Sequence, residues 1–189
     1  MRLFVSVDLP NGLAPAIAEL QDRFADADGL RFTDPEQAHV TLKFLGEVNE
    51  ERVPKIEEAV ARALAEAEVS PFTATFGGLG VFPSLSYISV VWFGVEEGSE
   101  EFTRLFEAIQ DRIVELGFEP ESHEFTPHVT LARMEHAGGK EHVQEVVAGS
   151  DPTVGSMTVE DVRLTESTLT DSGPNYETVR QFPFRRGSE

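Results

Sequence analysis

The tetrapeptide His-Val-Thr-Leu stands at residues 39–42 and again at residues 128–131, and this repeat decides how the fold is read. The surroundings of the two copies repeat as well. Each copy follows a strand pattern and an apolar pattern at helical spacing, and each precedes a second helix pattern and a further strand. We therefore predict two similar lobes related by a pseudo-two-fold axis, with the two HVTL strands near that axis.

The repeat predicts an α+β fold, a single bilobal domain over residues 1–189 in which each lobe has a mainly antiparallel sheet and two helices around a central cleft. The repeat halves run roughly over 1–78 and 85–165. Closing strands follow in 165–185, where polar and apolar residues alternate around Ser172-Gly173-Pro174. The stretch Gly77-Gly78-Leu79-Gly80 lacks the GxxxxGK[ST] spacing of a phosphate loop, and we interpret it as a turn.

Composition excludes several classes of protein. The 189 residues include no cysteine, which excludes a disulfide framework, a thiolate nucleophile and a cysteine zinc site. Hydrophobic residues make up 40% of the chain, enough for a packed core. The longest apolar stretches, such as Val90 to Phe93, are too short to cross a bilayer. We expect a cytoplasmic protein that does not interact with membranes.

The chain is strongly acidic, with 34 Asp and Glu against 15 Lys and Arg and a formal net charge of -19. Only Lys43, Lys55 and Lys140 are lysines. This pattern favours a halophilic protein, because salt screens the self-repulsion, although an ordinary acidic mesophilic protein remains the alternative. Extended non-specific binding along nucleic acid is disfavoured, since such binding depends on Lys and Arg contacts to phosphates.

Strand parity selects the candidate site residues. Side chains two positions apart share one face of a strand, so His39 and Thr41 face one way, and His128 and Thr130 do the same in the other lobe. Lys43 shares that face by the same rule and is a candidate for a phosphate or ribose contact. Arg133 is a further candidate, but it reaches the cleft only if its strand bends. Phe44 and Tyr87 could stack on a base, although Phe44 suits the core better.

Two imidazoles and two hydroxyls around one small space suit a phosphodiester displacement. Imidazole titrates near pH 7, so one copy can accept the proton of the attacking oxygen while the other protonates the leaving oxygen. The hydroxyls of Thr41 and Thr130 can donate hydrogen bonds to non-bridging phosphate oxygens. The alternative to metal-free chemistry is a zinc site built on the two histidines and a carboxylate, but neither motif supplies the acidic ligand or the HExxH spacing of such sites. We expect no metal ion and no cofactor.

These residues resemble the 2H phosphoesterase superfamily, named for two His-x-Thr/Ser-x motifs, and within it the RNA 2′,3′-cyclic phosphodiesterase family, also called 2′-5′ RNA ligase. The resemblance covers nearly the whole chain, from MRLFVSVDLP through HVTLKFLG and FTPHVTLAR to YETVRQFPF. It implies a duplicated bilobal fold and a metal-independent hydrolase that opens cyclic phosphates to 2′-phosphates. It also implies His39 as the proton donor and His128 as the proton acceptor.

The chain departs from the family pattern just before Tyr87. Family members often carry arginines there, whereas this chain has Ser84-Leu85-Ser86. Cations that remain for an RNA surface are Arg163, Arg180, Arg185 and Arg186.

Two alternatives stay open beside hydrolysis. One is ATP-independent 2′-5′ end joining at the same site, and the other is a non-catalytic module that binds RNA or nucleotide phosphate. The expected partners are RNA ends or small cyclic nucleotide phosphates, and we expect a monomer.

Overall fold

The computed structural model describes residues 1–185, which form four α-helices and one nine-stranded sheet. Arg186, one of the cations available for an RNA surface, lies outside the described residues. The strands are β1 (Arg2–Asp8), β2 (Leu30–Phe32), β3 (His39–Glu47), β4 (Phe72–Pro83), β5 (Ile88–Val95), β6 (His128–Met134), β7 (Thr153–Val159), β8 (Asp161–Thr170) and β9 (Gly173–Pro183). The helices are α1 (Ala14–Asp22), α2 (Val53–Ala67), α3 (Ser99–Val114) and α4 (Lys140–Gly149).

The sheet has the two HVTL strands at its centre. Its order is β7-β4-β5-β6-β3-β1-β8-β9, every pair is antiparallel, and β2 pairs with β6 beside the central pair. Outward from the centre, β5 corresponds to β1, β4 to β8 and β7 to β9. The predicted α+β fold with mainly antiparallel sheets is confirmed. The two central strands pair only through Val40 and Val129, so they separate on either side of that point.

The spatial lobes exchange elements between the two sequence halves. β4 belongs to the first half but pairs with β5 and β7 of the second. Helix α1 packs against β6 and β7, whereas α3 of the second half packs against α2 and β3. The connection from β4 to β5 spans only residues 84–87, and such a short turn favours a hairpin between consecutive strands. Local pairing therefore overrides the boundary between the repeats.

The helices bury one apolar stripe each. On α3 the side chains at helical spacing, Phe102, Leu105, Ile109 and Ile113, are 0% exposed. Burial of each such side chain contributes about 1.5–3 kcal/mol relative to exposure. The helix is followed by Gly117 at φ +97, a backbone conformation that glycine adopts without strain. No helix in residues 1–185 has both the length and the apolar character needed to cross a membrane.

The glycine-rich stretch at residues 77–80 is not a turn, so that interpretation was wrong. It lies inside β4, where the pairing with β5 is irregular between Gly77 and Leu79, and Gly78 has φ +74. A side chain at Gly80 would collide with the indole of Trp92 on β5. The glycines therefore provide a bulge and space for a flat aromatic ring, two uses that sequence alone does not separate from a turn.

Candidate active site

The centre of the sheet brings the two motifs together. Because Val40 is paired with Val129 in an antiparallel ladder, continued register sets His39 opposite Thr130, and Thr41 opposite His128. The two imidazoles are diagonal neighbours on one face, while the valines between them are buried on the other. The two rings therefore flank the point where the central strands separate.

The two imidazoles are held in the same way. Nδ1 of His39 lies 2.9 Å from the carbonyl oxygen of Gln37, and Nδ1 of His128 lies 2.7 Å from that of Thr126. A carbonyl can only accept, so each Nδ1 carries the hydrogen and donates it. Among residues 1–185 neither Nε2 has a hydrogen-bond partner, which leaves both atoms available to a ligand in the cleft. Each Nε2 can accept a proton when its ring is neutral and donate one when the ring is charged.

Burial lowers the pKa of both histidines, because the charged imidazolium loses hydration. For His39 the carbonyl of Gln37 and the carboxylate of Asp8 oppose this effect. For His128 the carbonyl of Thr126 opposes it, and the charge on His39 adds to it. Without a ligand, the neutral forms of both are favoured.

Aromatic side chains wall the cleft around each histidine. The ring of Phe4 lies 5.0 Å and that of Tyr176 5.2 Å from His39, centroid to centroid. On the other side, Phe82 lies 4.8 Å and Trp92 5.7 Å from His128. Sequence reasoning missed these four residues. The alternation along β1 could have indicated Phe4, but Tyr176 is brought near His39 only by the closing hairpin.

A bulge in each central strand changes which residues face the cleft. Opposite β1, register passes from Lys43 to Thr41 without using Leu42, so Leu42 and Lys43 are both buried and Phe44 faces the cleft. Opposite β5, register passes from Ala132 to Thr130 in the same way, and Arg133 then faces the cleft. An extra residue in a strand inverts the alternation beyond it.

The sequence expectation for Lys43 is therefore wrong. Its ammonium is buried on the opposite face of β3, where it donates to the carbonyl of Glu119 at 2.7 Å and to Oε1 of Gln110 and of Glu121 at 3.3 Å each. The expectation that Phe44 packs in the core is wrong as well, because the ring is 53% exposed and lies 5.8 Å from that of Phe4.

Arg133 enters the cleft, the outcome that the sequence allowed only for a bent strand. Burial lowers the pKa of both His39 and His128 most, and the positive charge of Arg133 is a smaller cause that lowers it further. This charge also acts against burial, which raises the pKa of Tyr176. Its charge therefore acts on all three rings, and no carboxylate forms an ion pair with it among the described residues.

Distant residues hold the bulge that directs Arg133. The hydroxyl of Thr33 donates to the carbonyl of Thr130 at 2.9 Å, and its backbone N–H donates to that of Leu131 at 3.0 Å. The buried amide of Gln21 donates to the Leu131 carbonyl at 3.1 Å and to the Thr33 carbonyl at 2.8 Å. The irregular backbone of the bulge thus keeps its hydrogen bonds satisfied.

The other histidines lie away from the cleft motif. His123 and His136 are exposed, and Nε2 of His142 on α4 lies 3.3 Å from the carbonyl of Arg23. Within residues 1–185 no three His, Asp or Glu side chains are grouped closely enough to hold a metal ion.

Known proteins match the chain over most of its length. Residues 9–170 match the family model of the 2′-5′ RNA ligase superfamily. The chain is 38% identical over 184 residues to an RNA 2′,3′-cyclic phosphodiesterase of Methanothermobacter thermautotrophicus, covering 96% of this chain and 98% of that protein. It is 36% identical over 183 residues to a protein of the same name in Archaeoglobus fulgidus, covering 96% and 99%.

Solved structures share the fold. The crystal structure of TT0787 from Thermus thermophilus matches with a TM-score of 0.82 and 31% identity over 100% of both chains. The apo form of Escherichia coli LigT matches with a TM-score of 0.74 and 23% identity over 98% of both chains, a likeness that concerns the fold alone.

Proposed function

Since the chain belongs to the 2′-5′ RNA ligase superfamily and is a hydrolase of the RNA 2′,3′-cyclic phosphodiesterase kind, we propose that His39 and His128 perform this hydrolysis as a paired acid and base, without a metal ion. The product would be a 2′-phosphate. The observation that carries the proposal is the matched bonding of the two imidazoles, each fixed through Nδ1 with Nε2 free on the same face.

The reaction needs two proton transfers across one phosphorus atom. Nε2 of neutral His128 accepts a proton from water as the water oxygen attacks phosphorus. Nε2–H of protonated His39 donates its proton to the 3′ oxygen as the bond between that oxygen and phosphorus breaks. Each transfer typically contributes about 10²- to 10⁴-fold to the rate. The hydroxyls of Thr41 and Thr130, beside the opposite imidazoles, would donate to the non-bridging oxygens.

The substrate itself favours the protonation state that the reaction needs. Burial and Arg133 favour neutral imidazoles in the free enzyme. A bound cyclic phosphate brings one negative charge between the rings, and a nearby opposite charge stabilises an imidazolium. Arg133 would pair with the same phosphate and stabilise the charge that develops on it. One ring then becomes the acid while the other stays a base, so the pH profile of turnover should be bell-shaped.

An aromatic surface next to His39 would receive the terminal nucleoside. Phe44 is half exposed, and it lies against Phe4, which in turn contacts His39 and Tyr176. Stacking of a base on an aromatic side chain is worth about 1–3 kcal/mol and tolerates any base. We therefore propose Phe44 as a base-stacking residue.

The test is an oligonucleotide that ends in a 2′,3′-cyclic phosphate, incubated with the protein in EDTA. The proposal expects a 2′-phosphate product at an undiminished rate. Loss of activity in EDTA and its recovery with zinc would overturn the metal-independent mechanism. Joined RNA with a 2′-5′ bond would support end joining at this site instead, and binding without any product would support a phosphate-binding module.

A further inference from the structure

The two histidines have different cross-strand neighbours. Register sets Asp8 of β1 directly opposite His39, whereas the equivalent neighbour of His128 on β5 is Gly94. A side chain at Gly94 would meet the indole of Trp92 at 3.2 Å, so this position has little room for one. The cross-strand neighbour of one imidazole is therefore a carboxylate, and that of the other is a glycine.

The Asp8 carboxylate is restrained on both oxygens. Oδ1 accepts a hydrogen bond from the Ser6 hydroxyl at 3.2 Å, and Oδ2 lies 3.3 Å from Nη1 of Arg163. Arg163 also pairs through Nε with Asp161 at 3.4 Å. One guanidinium thus serves two carboxylates, and the group of three charges keeps a net negative charge beside His39.

From these neighbours we propose that Asp8 makes His39 the proton donor of the pair, an inference that rests on the proposed function. Asp8 acts through His39 and does not touch the phosphate, so it is a positioning residue. A carboxylate beside an imidazole favours the imidazolium, which is the form that a general acid needs before it reacts. His128 lacks such a neighbour and stays the base.

The other charged groups around His39 do not supply this difference. From β6, Arg133 disfavours the imidazolium at both histidines, and the charge on His39 lowers the pKa of His128 after the larger effects of burial and of the Thr126 carbonyl. From β9, Tyr176 presents the edge of a ring whose pKa is raised by burial, so it is neutral. Among the described residues, Asp8 is therefore the charged group outside the histidine pair that acts on His39 and not on His128.

The experiment is an NMR titration of both imidazoles in the free protein with Asp8→Asn. The expected result is a fall of about 0.5–1 unit in the pKa of His39, below the usual 1–3 because Asp8 is partly exposed and shared with Arg163, with His128 nearly unchanged. The matched control is Asp161→Asn, which removes the same charge from the far side of Arg163 and should shift His39 by less than half as much.

A second readout is the pH profile of turnover. In Asp8→Asn its alkaline limb should move to lower pH by the same amount as the pKa of His39, so the rate at a fixed pH on that limb should be about 3- to 10-fold lower. Asp8→Glu should retain most of the wild-type profile and shows whether the position tolerates substitution. An unchanged His39 pKa, equal shifts at both histidines, or equal effects of the two Asn variants would overturn the inference. Because the titration uses no substrate, it can fail or succeed independently of the proposed function.

Discussion

Lys43→Met separates the structural account of this residue from the one that strand parity suggests. Methionine fills nearly the same space without the charge. The ammonium, 2% exposed in its side chain, donates to the Glu119 carbonyl at 2.7 Å, and this charge-assisted bond is worth about 1.5–3 kcal/mol. The ion pair with Glu121 adds about 1 kcal/mol or less, because Glu121 is 41% exposed. Gln110 loses little, since its Oε1 keeps the Glu121 N–H at 2.8 Å.

We therefore expect Lys43→Met to lower the free energy of unfolding by about 1.5–4 kcal/mol, while turnover per folded molecule changes less than about threefold. For a domain of this size that loss corresponds to a fall in Tm of roughly 3–16 °C. The fluorescence of Trp92, the one tryptophan, reports unfolding in urea at fixed salt.

The matched control is Lys55→Met, because Lys55 is an exposed lysine on α2 and its loss should leave stability within about 0.5 kcal/mol of the wild type. Unchanged stability of Lys43→Met together with a KM raised tenfold or more would refute the reasoning. That pair of results would mean that the ammonium reaches the substrate in solution.

Three further predictions address the cleft. Arg133→Gln should lower kcat/KM about 10- to 100-fold through lost phosphate contact, whereas Arg62→Gln on exposed α2 should not, as steady-state kinetics on a cyclic phosphate will show. Phe44→Ala should raise KM about 5-fold or more with little change in kcat, since stacking is made equally in the ground and transition states; a lowered kcat would contradict this role. Burial lowers the folded-state pKa of His39 and of His128, so the unfolded chain binds more protons than the folded protein below about pH 6.5. The free energy of unfolding should therefore decrease as the pH is lowered through that range. When both histidines are replaced by Gln, the urea midpoint should decrease less as the pH is lowered. The same dependence of the midpoint on pH in the variant and the wild type would be inconsistent with the buried imidazoles.

The repeat alone predicted the centre of the fold. HVTL occurs twice with matching surroundings, and parity within three residues sufficed to put each histidine beside a threonine on one face. Parity failed one step further along, at Lys43, because each strand contains a bulge. The bulge in β6 is stabilised by Gln21 and Thr33, which are 110 and 97 residues away in sequence from the carbonyls they bind. No local sequence pattern therefore predicts the bulge.

The lobes could not be assigned from the repeat for a related reason. Halves that read alike need not fold separately, and here the short turn after β4 pairs it with β5 of the other half. The aromatic side chains around the cleft could not be predicted for the same reason, because Tyr176 reaches His39 only through the hairpin of β8 and β9. Strand patterns do not specify which distant strands become neighbours.

The most direct test of the paired mechanism is a comparison of turnover in the wild type, His39→Ala, His128→Ala and the double variant, on one RNA end carrying a 2′,3′-cyclic phosphate, with circular dichroism to verify folding. Each single variant should lose at least about 10²-fold in kcat. Because the two imidazoles act on one phosphate as a unit, the double variant should be only modestly slower than the slower single variant. Near-normal turnover in either single variant, or losses that multiply fully in the double variant, would contradict the account.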